Sequence, residues 1–252
     1  MRKFRIPLML ILFSTAISTS SLCNPPQGGG FLVGPPAIFS GGYDNSSPFS
    51  AEPNNEPVLA PKLQKQLESG VKELKAGKYQ DAKARFEELY TISPGNPRIN
   101  FWLGLSCLAL NQLDDASNYL NRSDSLGPHH AQTLAVLGLV EINRANYQGA
   151  IAKLQPLIKQ YPKQYLPHLL ISQAFLYVHQ FQDSLHEAQQ AIRWSKGAAK
   201  AAEFIAGFAL AKMGDTEAAL KELRQFVKDV PNSPVTSDAN KVIALLEKPS
   251  GR

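Results

Sequence analysis

The sequence predicts an all-α chain, a solenoid of about five stacked helical hairpins closed by a C-terminal capping helix. Three observations carry that expectation. Apolar residues return every three or four positions through residues 62–248, the period of a helix with a buried side. The pattern itself recurs at intervals of 34 residues. Small residues hold fixed places in it, among them glycines inside helical runs, where glycine costs roughly 0.5–1 kcal/mol relative to alanine.

The repeat is explicit. Leu103-Gly104, Ala116, Leu120 and Pro128 return 34 residues later as Leu137-Gly138, Ala150, Leu154 and Pro162. One period earlier stand Gly70, Ala82, Phe86 and Pro94; one period later stand Ser172, Ser184, Ala188 and Lys196. A further 35 residues bring Gly207, Ala219, Leu223 and Pro231. The fourth unit departs most from the others. Such a period marks a repeat architecture, in which roughly three or more units are needed to stack a continuous core.

Taken in order, the first helices are expected at 65–76, 98–110, 132–143, 166–178 and 200–212. The second helices are expected at 80–92, 114–126, 148–160, 182–194 and 216–229, and the capping helix at 234–247. The turns inside the hairpins carry Ala76-Gly77-Lys78, Asn111-Gln112, Ala145-Asn146, His179-Gln180 and Met213-Gly214-Asp215, residues suited to a chain reversal. Hairpin axes lie roughly 8–10 Å apart. Gly138 and Ala150 are therefore expected to face each other at the closest approach. Pro156 lies well inside a second helix, where it should kink the helix and cost about 3 kcal/mol. Pro167 falls in a first turn, where proline is tolerated.

These elements together resemble the tetratricopeptide repeat. The matching residues are Leu137-Gly138, Tyr147, Ala150, Leu154 and Pro162 with their equivalents, over about residues 62–231. The large aromatic usual early in the first helix is missing; Gln66, Asn100, Leu134, His168 and Glu203 take its place. The resemblance implies a right-handed superhelical solenoid whose first helices line a concave face, and a role in holding other proteins. The residues matching that face are Phe101, Leu105, Leu139, Leu169, Gln173, Tyr177, Phe204 and Phe208. They form the expected partner-binding groove, with packing between neighbouring helices as the competing role. The family's charged clamp for terminal carboxylates needs Lys, Arg and Asn there. Only Arg98, Asn143 and Lys212 fall near, and they are scattered. The expected occupant is an apolar or amphipathic segment of a protein partner.

Ahead of the repeats lie two other kinds of sequence. Arg2, Lys3 and Arg5 precede the apolar run from Ile6 to Ile17, followed by Ser18, Thr19, Ser20 and Ser21. That order reads as a secretory signal peptide over residues 1–22, shorter than the roughly 20 apolar residues of a spanning helix. Export to the periplasm or medium follows, with cleavage between Ser18 and Cys23. Cys23 resembles the bacterial lipid-attachment cysteine, but Leu22 stands where that motif wants a small residue. Membrane association is expected only if Cys23 is lipidated or the leader is retained. Residues 23–61 are expected to be a disordered tether. Eight prolines and six glycines fall among residues 24–61, a density that argues against a packed core.

Composition excludes more than it assigns. The three basic residues of the leader are offset by Asp44, Glu52 and Glu56 in the tether, so the repeats carry the formal charge of +5. Their signs are interspersed, with no basic stripe interleaved with aromatics, which disfavours nucleic acid. Cys107 sits on an apolar helix face with Leu103, Gly104 and Leu110, the setting of an inert buried thiol. His129, His130, His168, His179 and His186 do not combine into a metal-ligand pattern and read as solvated or locally bonded. No phosphate loop or nucleophile elbow appears, so no catalytic residue, metal or cofactor is assigned.

Overall fold

Eleven helices form, with no strand, among the residues that the computed structural model describes, 59–127, 131–232 and 234–248. The first hairpin pairs α1 (Pro61–Lys75) with α2 (Tyr79–Ile92), and the second pairs α3 (Pro97–Ala109) with α4 (Leu113–Leu126). The third joins α5 (Ala131–Asn143) to α6 (Tyr147–Gln160), the fourth α7 (Tyr165–Tyr177) to α8 (Phe181–Trp194), and the fifth α9 (Lys200–Met213) to α10 (Thr216–Asp229). The last helix is α11 (Pro234–Leu246). Helix α1 starts at Pro61, four residues earlier than expected, because proline suits a first helical turn. The expected leader and tether lie outside the described residues, except for the few that lead into α1.

Local chemistry sets the hairpin turns. In each, one residue adopts the left-handed conformation: Gly77, Asn111, Ala145, His179 and Gly214, at φ between 58° and 86°. The N–H of the next residue then donates back to the carbonyl five positions earlier, as from Gln112 to Cys107 at 2.8 Å and from Asn146 to Glu141 at 2.9 Å. This closure satisfies carbonyls that a helix end leaves unpaired. Asn96, Asn146 and Asp215 cap the helices that follow them, accepting from Ile99, Gly149 and Ala218 at 3.1–3.2 Å.

The glycines inside the first helices mark tight helix crossings, and the nearest contact at each is the large residue of the second helix. A Cβ on Gly138 would lie 2.7 Å from Leu154 Cγ. The same holds for Gly104 with Leu120, Gly207 with Leu223, and Gly70 with the ring of Phe86 at 2.6 Å. Each glycine is thus the seat of a large side chain from the second helix, four residues beyond the alanine slot. In the fourth unit the sizes are exchanged: Ser172 stands at the glycine position and Ala188 at the large one. Ser184 at the alanine slot donates to the carbonyl of Ser172 at 2.8 Å, tying the two helices together.

Each hairpin packs on the next, and successive first helices also touch one another from α1 through α11. No pair of second helices comes as close. Long side chains bridge the second helices instead, as where the Tyr90 and Tyr119 rings meet edge to face at 5.5 Å. The first helices therefore line the inner face of the stack. An interior first helix is covered from several sides and is apolar around most of its circumference, which is why α3 buries Phe101, Trp102, Leu103, Leu105 and Leu108 together. Pro156 does not end α6, which continues to Gln160; the proline faces solvent.

Candidate interaction face

The inner face is built from α3, α5, α7 and α9. All eight residues expected there lie on these helices, and seven are buried. Phe101 and Phe208 keep 7 % and 6 % of their surface, while Leu105, Leu139, Leu169, Gln173 and Phe204 keep 2 % or less. Tyr177 is half-buried. The apolar members thus pack the stack in this state, whatever they also offer a partner. Phe204 meets the Phe226 ring of its own hairpin at 5.6 Å.

The polar residues near the face do not form a charged clamp. Arg98 donates to Gln64 Oε1 at 3.3 Å, and Lys212 lies 5.4 Å from the centre of the Phe208 ring. Gln173 and Asn143 behave differently. Gln173 Oε1 and Asn143 Oδ1 are both buried and accept no hydrogen bond among the described residues. Gln173 lies on α7 one turn before Tyr177, whose ring stacks on Tyr147 with centroids 4.6 Å apart and planes within 17°. Tyr147 opens α6 and Asn143 closes α5, so the third and fourth units bring two amides and two aromatic rings to one end of the face. Sequence reasoning marked Gln173 and Tyr177 but missed their combination with Asn143 and Tyr147. The Tyr147–Tyr177 spacing is shorter than the repeat, so periodicity gave no signal of it.

Elsewhere the titratable groups are structural. Burial pushes the Cys107 thiol up to about 11, which keeps it protonated at neutral pH. His168 lies 2.5 Å from Glu187 Oε2 through Nδ1 and 3.0 Å from the Pro162 carbonyl through Nε2. Asn100 fills the equivalent place in the second unit and donates to the Pro94 carbonyl at 3.0 Å. A polar side chain that ties down the preceding turn has replaced the missing aromatic in both. His179 and His186 are exposed, and His129 and His130 lie outside the described residues. Among the described residues no cluster of metal-ligating side chains occurs, and no helix is long and apolar enough to cross a membrane.

Comparison with known proteins adds the following. Residues 73–140 and 201–233 match family models described as tetratricopeptide repeat. No curated protein matches the chain in sequence. Among solved structures, MamA from Desulfovibrio magneticus RS-1, residue 41 to the end, is 16% identical with a TM-score of 0.58, covering 68% of this chain and 96% of that one. TTC0263, a thermophilic TPR protein of Thermus thermophilus, is 17% identical with a TM-score of 0.59, over 73% of this chain and 98% of its own. A chain of the APC/C hetero-tetramer Cut9-Hcn1 is 18% identical with a TM-score of 0.67, over 73% of this chain and 36% of its own. At these identities the likeness is one of fold.

Proposed function

The chain is a tetratricopeptide-repeat protein, and from that premise we propose that it is an exported protein-interaction scaffold. Its inner face binds an apolar or amphipathic segment of a partner protein, reversibly and without bond chemistry. The observation that carries this reading is the run of apolar first helices α3, α5, α7 and α9, in which the amide oxygens of Asn100, Asn143 and Gln173 are buried and accept no hydrogen bond among the described residues. Export rests on the charged start, short apolar run and small residues that precede Cys23.

The test uses the full chain with a photo-crosslinking amino acid at Tyr177 on the inner face or at exposed His186 on α8. Crosslinks to a protein partner from Tyr177 and not from His186 are the expected result. Equal yields from both positions would remove the inner face as the binding site. Sequencing of exported protein should find a start between Thr19 and Cys23. Retention of Met1 on membrane-bound protein would overturn export. A lipid-anchored accessory subunit of a cell-envelope assembly is the second reading, favoured by Cys23 directly after the leader. Incorporation of labelled acyl chain that Cys23→Ser abolishes would establish it.

A further inference from the structure

We infer that the outer edge of the third and fourth units, where Lys159, Lys163, Arg193 and Lys196 stand at the ends of α6 and α8, is a second docking surface that takes a flexible acidic segment of a protein partner. It is separate from the inner face, lies about two turns of α8 beyond His186, and does not depend on what binds inside.

The sequence concentrates positive charge here and the fold leaves it uncompensated. Residues 142–202 carry seven Lys or Arg and two acidic residues, Asp183 and Glu187. Glu187 is bonded to His168, and Asp183 lies at the opposite end of α8 from Arg193. All four cations of the edge are exposed, and among the described residues none of them pairs with a carboxylate. Basic residues elsewhere do: Arg85 holds Glu73, Arg144 holds Asp114, and Lys200 holds Glu203 and Asp229.

The fold also draws these cations together. Lys163 Nζ and Arg193 Cζ lie 5.9 and 5.0 Å from the centre of the half-buried Trp194 ring, within the range of cation–π attraction. The indole thus holds two like charges side by side that would otherwise repel. Lys196 stands where the other four units have proline, in a left-handed conformation at φ 50° that glycine would hold with less strain. Lys159 and Arg193 occupy the same place in the last turns of α6 and α8, one repeat apart, and Lys228 continues the row on α10.

The surroundings of the charge select the occupant. The exposed large apolar side chains among the described residues are Ile92, Leu126, Met213 and Leu245, none of them on α6 or α8, so a bilayer finds no anchor to bury. One half-buried indole offers no series of free rings on which bases could stack. Carboxylates on a flexible chain do match the row. Neighbouring helices lie roughly 8–10 Å apart, a distance that about three residues of chain span at about 3.3 Å each.

The test titrates the full chain with a fluorescent peptide of repeated Gly-Ser-Glu, with its Gly-Ser-Gln counterpart, and with vesicles of phosphatidylglycerol and phosphatidylcholine. Three charge-matched variants are compared, with melting temperatures measured in parallel. Lys163→Gln/Arg193→Gln removes the pair over Trp194. Lys159→Gln/Lys196→Gln removes the other two cations of the edge without touching that ring. Lys72→Gln/Lys75→Gln removes the same charge from exposed positions on α1. The expected result is binding of the Glu peptide and not of the Gln peptide, weakening as salt rises from about 0.02 M to about 0.15 M. Both edge variants should lose at least about fivefold in affinity and the α1 variant less than about twofold, with the Lys159→Gln/Lys196→Gln melting temperature unchanged. Equal losses at the edge and on α1 would reduce the attraction to net charge and overturn the site. Vesicle binding that the edge variants abolish, without peptide binding, would make the edge a membrane surface and overturn the acidic segment. Binding of neither probe would overturn the inference. So would lower melting temperatures in both edge variants with peptide binding unchanged, since the cations would then serve only the helix ends they complement. Each of these outcomes leaves the inner-face reading standing.

Discussion

The third and fourth units have the same two helices and the same turn, yet they hold together differently. In the third, Leu154 of α6 fills the space that Gly138 leaves on α5, and Ala150 is fully buried beside it. In the fourth, Ser172 and Ala188 replace that pair, and Ser184 bonds across to the Ser172 carbonyl. The third carries Pro156 in its second helix where the fourth carries Gln190. The fourth hairpin is the more extensively packed of the two. A departure from the repeat pattern is thus not a weak unit. What the repeat keeps is a filled crossing, and the fourth unit fills it with smaller residues and a hydroxyl that bonds across it.

The largest expected effect follows from that exchange. Leu154→Ala should cost about 2–5 kcal/mol, as a buried leucine deleted to leave a cavity. Gly138→Ser alone should cost about 1–3 kcal/mol, since its Cβ would press on Leu154. Together they reproduce the fourth unit's pair, and urea unfolding should find the double variant more stable than the sum of the single losses predicts. Additive losses would show that the two positions do not share one space.

Next comes the His168 bridge, which the third unit lacks, having Leu134 at that place. The side chains of His168 and Glu187 are 7% and 12% exposed. His168→Leu should therefore cost about 3 kcal/mol by leaving a mostly buried carboxylate unpaired. Adding Glu187→Leu should restore much of the loss. A double variant as unstable as the single one would point to the Pro162 carbonyl as the contact that matters.

Pro156→Gln makes the third unit like the fourth at an exposed site. It restores the backbone donor that proline lacks, so the melting temperature should rise, by up to about 3 kcal/mol of stability. No gain would mean that α6 already accommodates its proline without strain.

The repeat was legible because it reflects backbone demands: a left-handed residue in each turn and a small residue at each crossing leave marks that recur at 34. The side chain that approaches Gly138 most closely was not. Ala150 and Leu154 are one turn apart on the same side of α6, and spacing alone cannot say which lies opposite. Nor could spacing separate groove from core, because Leu139 and Leu169 satisfy the same apolar pattern in either role. The Tyr147–Tyr177 stack and the His168–Glu187 bridge join residues at intervals that match neither the helix nor the repeat, so only the packed structure brings them together.

The smallest effect tests the turns, at the one position in each that holds a left-handed conformation. Ala145 and His179 both hold a left-handed conformation, at φ 58° and 62°. That conformation costs an L-residue roughly 1–2 kcal/mol and costs glycine almost nothing. Glycine also gains freedom in the unfolded chain, which takes back about 0.4–1 kcal/mol. Ala145→Gly should therefore stabilise by somewhat under about 1 kcal/mol, bringing the third turn into line with Gly77 and Gly214. His179→Gly gains the same relief but loses the edge contact of the imidazole with the Phe181 ring, at 5.7 Å between centroids. Ring contacts of this kind contribute about 0.5–1.5 kcal/mol, so the net change in the fourth unit should be near zero or unfavourable. The two variants, compared by thermal unfolding under identical conditions, should differ in that order. A larger gain at His179 than at Ala145 would mean that the imidazole contributes nothing there and that strain alone separates the turns.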